Sequence, residues 1–196
     1  VVDWDVHHGN GRQKCFYGRA DVLTVSLHMR HGAWGPSHPQ TGEADETGRG
    51  AGEGFNVNLA LGVGAGDSTY ADALTEIVVP ILRRFRPELI VGACGQDASC
   101  YDPNGRQNVT MAGFRRIGAI IGEAAAELCD GRLVLVQEGG YARTYAPHCL
   151  HATFEGLLGL PGPHLVDPIA YIPDDPARGR EGIAAARAEL AGIWQL

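Results

Sequence analysis

Residues 1–11 read "VVDWDVHHGNG". Two apolar residues lead into Asp3, Asp5 and His7 at alternate positions, then His8 and a Gly-Asn-Gly turn. The apolar start predicts a buried strand, and on a strand residues i and i+2 project from one face. Asp5 and His7 are therefore expected to point the same way from the strand's carboxyl end. Asp3 falls on that face one step further back. Ligand sites of open parallel sheets lie at the carboxyl ends of strands, so this stretch predicts both a fold and a site.

Two later segments repeat the arrangement. In "LIVGACGQDASCYDPNG" (89–105) a short apolar strand runs into Asp97, and in "LVLVQEGGY" (133–141) another runs into Glu138, Gly139, Gly140 and Tyr141. The chain between them alternates strand and helix patterns. Strands are expected over 22–28, 55–61, 88–94 and 132–137, the last fully buried. Helices are expected over 68–85, 110–129, 147–160 and 181–196, with Ser68 and Thr110 as N-caps. This order predicts a three-layer α/β/α architecture on a mostly parallel sheet. Residues 32–54 are rich in Gly, Pro and polar side chains and lack periodicity, which points to a functional loop.

With 196 residues, 44% of them hydrophobic, the composition fits one globular domain. The formal net charge of -7 and the lack of a basic tract argue against direct nucleic-acid binding. No apolar run approaches membrane-spanning length. Five cysteines without a CxxC pair suit buried reduced thiols and a cytoplasmic setting rather than a disulfide framework. Because Val1 opens directly on a strand pattern, residues 1–196 are read as the C-terminal portion of a longer catalytic domain, incomplete at its N-terminus. The motifs lie in 1–160, and 161–196 forms an extension without one.

If the three strand ends are neighbours, Asp5, His7 and Asp97 grip one ion. One nitrogen and two carboxylates suit zinc in an open site, whose remaining position takes water or substrate. Asp3 is placed to orient a histidine from behind. Gly139 and Gly140 let the Tyr141 hydroxyl approach a ligand closely. An Asp-x-His pair alone also fits a structural ion pair, and a lone tyrosine also fits packing. The three strand ends together carry the reading.

At these residues the chain resembles the histone deacetylase family, including bacterial histone deacetylase-like and acetylpolyamine amidohydrolases. The segments that carry the resemblance are "DWDVHHGNG", "VSLH", "TGEADETGRGAGEGFNVNL", "GQDASCYDPNG" and "EGGY", in family order from residue 1 to about 160. It implies an arginase/deacetylase-like fold and a zinc-dependent deacylase with Asp5, His7 and Asp97 as ligands. Tyr141 would be the oxyanion donor. A pair of adjacent histidines, placed by the family before the Asp-x-Asp-x-His block, would move the protons. His7 and His8 are not that pair, so the 196 residues alone are expected to be inactive. Asp3 would orient one of those histidines and Asn10 would lie near the other. Asn10 also points to the class II-like branch.

The resemblance further implies a structural potassium ion held by Asp3, Asp5, His7, Ser26 and Leu27, although a plain hydrogen bond explains Ser26 equally well. For the substrate channel it points to His38 in "SHPQTG" and Asn104 in "DPNG", together with Gly139 and Gly140. Neutral Asn104 offers polyamines no acidic group, so acetyl-lysine or another small acylated amine is the expected partner. Homo-oligomers remain open. Two rivals remain. A binuclear arginase-like hydrolase lacks ligands, since Gly9 and Gly95 stand where carboxylates are needed. A non-catalytic zinc module that binds acylated amines would have no need of Tyr141.

Overall fold

Five short β-rich runs form one sheet. The computed structural model describes residues 1–30, 41–169 and 171–196. Strands β1 (Val2–Asp3), β2 (Thr24–Met29), β3 (Asn56–Leu61), β4 (Ile90–Cys94) and β5 (Leu133–Gln137) all run parallel in the order β3-β2-β1-β4-β5. Val2 pairs with Val25 on one side and Gly92 on the other. The chain thus leaves β1 first to one side, through β2 and β3, and then to the other, through β4 and β5. A crevice at the carboxyl end of β1 follows from that reversal.

Every residue of β2 and β3 is buried, as expected for strands covered on both faces. The strand expected to be fully buried over 132–137 departs from that pattern. Val134 and Val136 share one face of β5 and are about half exposed, whereas β3, at the other edge of the sheet, is buried beneath α6.

The helices are α1 (Asn10–Phe16), α2 (Asp67–Ala73), α3 (Val79–Phe85), α4 (Met111–Cys129), α5 (Ala146–Leu157) and α6 (Arg180–Trp194). The segment expected as one helix over 68–85 is broken by a π-helical turn, Leu74–Val78. Pro80, at the start of α3, has no amide hydrogen to offer the carbonyl four residues back, and the wider turn absorbs the loss. Thr110 stands at the N-cap position of α4 as expected, without a capping side-chain hydrogen bond, whereas Ser68 is not an N-cap. Ser68 lies inside α2, and the Thr110 hydroxyl donates to Asp67 (2.6 Å), tying the start of α4 to the start of α2. Helix α1 forms where the sequence suggested only a turn.

Helix α4 lies along α5, and α6 covers β3. Ile183, Ala186 and Leu190 of α6 are buried, and the Trp194 indole donates to the Gly54 carbonyl. All five cysteines are free. Cys94, Cys129 and Cys149 are buried as expected, Cys100 is half-buried, and Cys15 is exposed.

Candidate metal centre

Strand β1 ends at Asp3, so Asp5 and His7 lie beyond it. Strand alternation is therefore not what brings them together, contrary to the sequence reading. The Asp3 carboxylate accepts the Asp5 amide (3.0 Å), and the Asp5 carboxylate accepts the His7 amide (2.8 Å). Two successive side-chain-to-backbone turns of this kind fold the chain tightly. Asp97 follows β4, the neighbour of β1, and its carboxylate accepts the Val6 amide at 2.8 Å.

The three side chains meet as expected. His7 Nδ1 lies 3.1 Å from Asp5 Oδ1 and 3.1 Å from Asp97 Oδ2. One ligand atom from each lies within 4.8 Å of the others, the only such cluster among the described residues. Behind them, the Gly139 amide donates to Asp5 Oδ2 (2.8 Å). A side chain at Gly139 would collide with Asp97 Oδ2 and come within 2.6 Å of Asp5 Oδ2. The glycine thus lets the backbone press against the carboxylates.

The electrostatics describe a cluster with surplus negative charge. Hydrogen bonds donated to Asp5 and then to Asp97 hold a proton on His7, whose pKa rises to about 10. Burial opposes the charge of Asp5, yet its bonds from His7 and Gly139 more than offset that and leave its pKa lowered. Burial also pushes Asp97 up, and the nearby Asp5 adds to it. A proton shared between two carboxylates and an imidazole marks a place where a divalent cation fits. The N, O, O donor set, already oriented by main-chain amides, suits that role.

Tyr141 follows the same edge of the sheet and is half-exposed. It borders a cavity of about 600 Å³ together with His7, Met29, Val63, Pro103, Asn104 and Arg106. Burial, followed by the charges of Asp97 and Asp5, raises its phenol pKa, so it stays a proton donor at neutral pH. The residue that positions it escaped the sequence reading. Asp102 Oδ2 accepts the amides of Tyr141 (2.7 Å) and Ala142 (3.2 Å), and its Oδ1 accepts the Asn104 amide (2.8 Å). An Asp just before Pro, two residues ahead of the bonded amide, was the available signal.

Other expected residues are placed as follows. Asn104 lines the cavity, and Gly139 borders an adjoining cleft with Asp5 and His7. Gly140 has φ +140 and lies against Gln96. Asn10 begins α1, exposed at that cleft, and makes no side-chain hydrogen bond to Asp5, His7 or Asp97. His38 lies outside the described residues. His8 is engaged at both ring nitrogens, by Thr41 (2.8 Å) and Gln13 (2.9 Å).

Of the residues expected to hold potassium, Asp3 contacts the Arg12 guanidinium. The Ser26 hydroxyl accepts the Gly9 amide (3.3 Å) and lies 3.0 Å from His28 Nδ1.

Comparison with known proteins follows the same geometry. The histone deacetylase domain model matches residues 1–157. Over 177 residues, 90% of this chain and 47% of the relative, the chain is 56% identical to Histone deacetylase 8 of Arabidopsis thaliana. Over 160 residues, 82% of this chain and 41% of the relative, it is 45% identical to the Histone deacetylase-like amidohydrolase of Pseudomonas aeruginosa. The crystal structure of the HDA15 HD domain superposes with a TM-score of 0.81 at 33% identity, covering 99% of this chain and 50% of that one. The chain thus spans about half the length of these relatives.

Proposed function

The chain belongs to the histone deacetylase family, and on that premise we propose that the intact protein is a zinc-dependent deacylase acting on acetyl-lysine or a similar acylated amine. One observation carries the reading: the ligand atoms of Asp5, His7 and Asp97 converge beside a cavity that also holds Tyr141. Asp5, His7 and Asp97 would hold the metal ion, which when bound would supply Lewis-acid polarisation of an amide carbonyl and a more acidic water.

The chain's own residues do the rest. Amides of Val6, His7 and Gly139 fix the ligand carboxylates, so the donor geometry is set before substrate arrives. The Tyr141 hydroxyl, kept protonated, donates to the carbonyl oxygen as negative charge develops on it. Asp102 holds the backbone of Tyr141, and with it the aim of the phenol. With His8 engaged at both nitrogens, the proton acceptor for the water is assigned to a segment outside these 196 residues, which alone are inactive in this proposal. Neutral Asn104 favours acyl-lysine or a small acylated amine over polyamines.

The test is deacetylation by the full-length protein, with acetyl-lysine peptides and acetylated polyamines compared side by side, before and after chelation. Turnover of the peptides that chelator abolishes and zinc restores is the expected result. Activity indifferent to chelation would overturn the metal assignment, and a preference for the polyamines would overturn the substrate assignment.

A further inference from the structure

The cavity beside Tyr141 carries one charged side chain that the chemistry above does not use. Arg106 lines it, is exposed, and makes no ion pair among the described residues. Two other arginines do not share that condition: Arg30 is paired with Glu43 and Arg178 with Asp175. The Arg106 backbone is fixed. Its carbonyl accepts the Gly64 amide (2.8 Å), and the next residue, Gln107, accepts the Ala65 amide through its side chain (2.9 Å). The Arg106 backbone is thus held at the cavity wall by the loop after β3.

The charge balance of the wall favours an anion. Two carboxylates and a neutral imidazole around a dication sum to zero. Asp102 is buried, and its charge faces three main-chain amides rather than the cavity. Residues 31–40, "HGAWGPSHPQ", contain no Asp, Glu, Lys or Arg, so they add no carboxylate. In a chain of formal net charge -7, Arg106 is the cationic side chain lining this cavity, while Glu138 borders the adjoining cleft.

We propose that Arg106 is a specificity-determining residue that selects acylated amines bearing a carboxylate near the scissile amide. The carboxylate belongs either to an acidic residue flanking an acyl-lysine or to the free α-carboxylate of an acylated amino acid. The inference rests on the deacylase reading and narrows its substrate class. Because the ion pair lies at a solvent-open rim, it changes KM and salt dependence more than kcat.

The test uses the full-length, zinc-loaded protein and acetyl-lysine peptides differing only in an Asp, Gln or Lys beside the acyl-lysine. Nε-acetyl-lysine is added with its carboxylate either free or amidated. At low ionic strength the Asp peptide is expected to exceed the Gln peptide in kcat/KM by about fivefold, the upper range for an exposed ion pair. The Lys peptide ranks last. Arg106→Gln levels the series through KM, Arg106→Glu reverses it, and added salt erases it in the wild type. The two carboxylate sources are separated by whichever arm carries the preference. A wild type without charge preference, or a preference that persists in Arg106→Gln, overturns the proposal.

Binding of the same peptides, followed by fluorescence anisotropy, keeps the two readings apart. An acidic preference in binding that disappears in Arg106→Gln, without turnover of any peptide, sinks the deacylase reading and upholds the role of Arg106. Binding without that preference sinks the role of Arg106.

Discussion

The cluster of Asp5, His7 and Asp97 and the one around Glu155 both set imidazole against carboxylate, yet their charge counts differ. At the sheet edge, two carboxylates face one imidazole, and three main-chain amides are turned onto them. At α5, one buried carboxylate, Glu155, meets the Arg115 guanidinium, His164 Nδ1 at 2.8 Å and His151 Nδ1 at 3.5 Å. Glu155 also accepts the His164 amide at 2.7 Å. The first cluster has surplus negative charge and room for a cation. The second already contains its cation, Arg115, and ties residues 160–164 back onto the α4–α5 pair. Residue types alone do not distinguish a site from a brace. The balance of charge does.

The most damaging way to probe this contrast is Asp97→Asn. Losing a direct ligand should cost more metal affinity than the roughly 10–100-fold seen when an outer partner is removed. Activity of the full-length protein should fall at least as far. Metal content after dialysis, read by elemental analysis, checks it. Glu155→Gln should retain its metal, and a Glu155→Gln protein that loses zinc would erase the distinction.

Next in size is Tyr141→Phe. Removing one oxyanion donor typically costs about 100- to 1000-fold in rate, so kcat should fall by that much while metal content and melting temperature hold. Near-normal turnover would remove Tyr141 from the chemistry.

A third change touches only the brace. Gly156 of α5 lies against the Arg115 carbonyl of α4, so close that a methyl group there would collide with the backbone. Gly156→Ala should destabilise the protein by about 1–3 kcal/mol, the usual cost of overpacking, with zinc binding unchanged. Denaturant titration with and without zinc measures both.

The smallest effect is on pH dependence. Burial opposes the charge of Glu155, but its bonds from His164 and the charge of Arg115 outweigh it and hold its pKa below the ordinary 4.5. A carboxyl depressed in the folded state contributes stability above the unfolded pKa and loses it as pH falls through the folded one. Wild-type stability should therefore drop below about pH 4.5. Glu155→Gln, already less stable at neutral pH, should decline less steeply over that range. Denaturation midpoints taken from pH 6 to pH 3 decide it.

Much of the sheet was readable in advance because strand periodicity is local. β2, β3 and β4 fall within two residues of their expected spans, α4 within one and α6 within two. The misreadings share a cause in contacts across the chain. The half-exposed valines of β5 follow from which strands the helices cover, since β3 at the other edge is buried beneath α6. Ser68 and Thr110 have cap-forming side chains, but that of Thr110, at the N-cap position, bonds Asp67 instead, from 43 residues away. Asp102 was missed for the same reason: the amide it holds at Tyr141 lies 39 residues further on.

Residue types and their positions at strand ends determined that Asp5, His7, Asp97 and Tyr141 were the chemically capable groups. That much rests on periodicity and on what imidazole, carboxylate and phenol can do. Only the folded chain decided that β1 lies between β2 and β4, which brings Asp97 to Asp5 and His7. It alone also decided that tight turns, rather than strand alternation, aim Asp5 and His7. Which arginines find carboxylates and which, like Arg106, face a cavity was settled there as well. Charge pairing depends on distances through space, and the linear order of residues does not encode those distances.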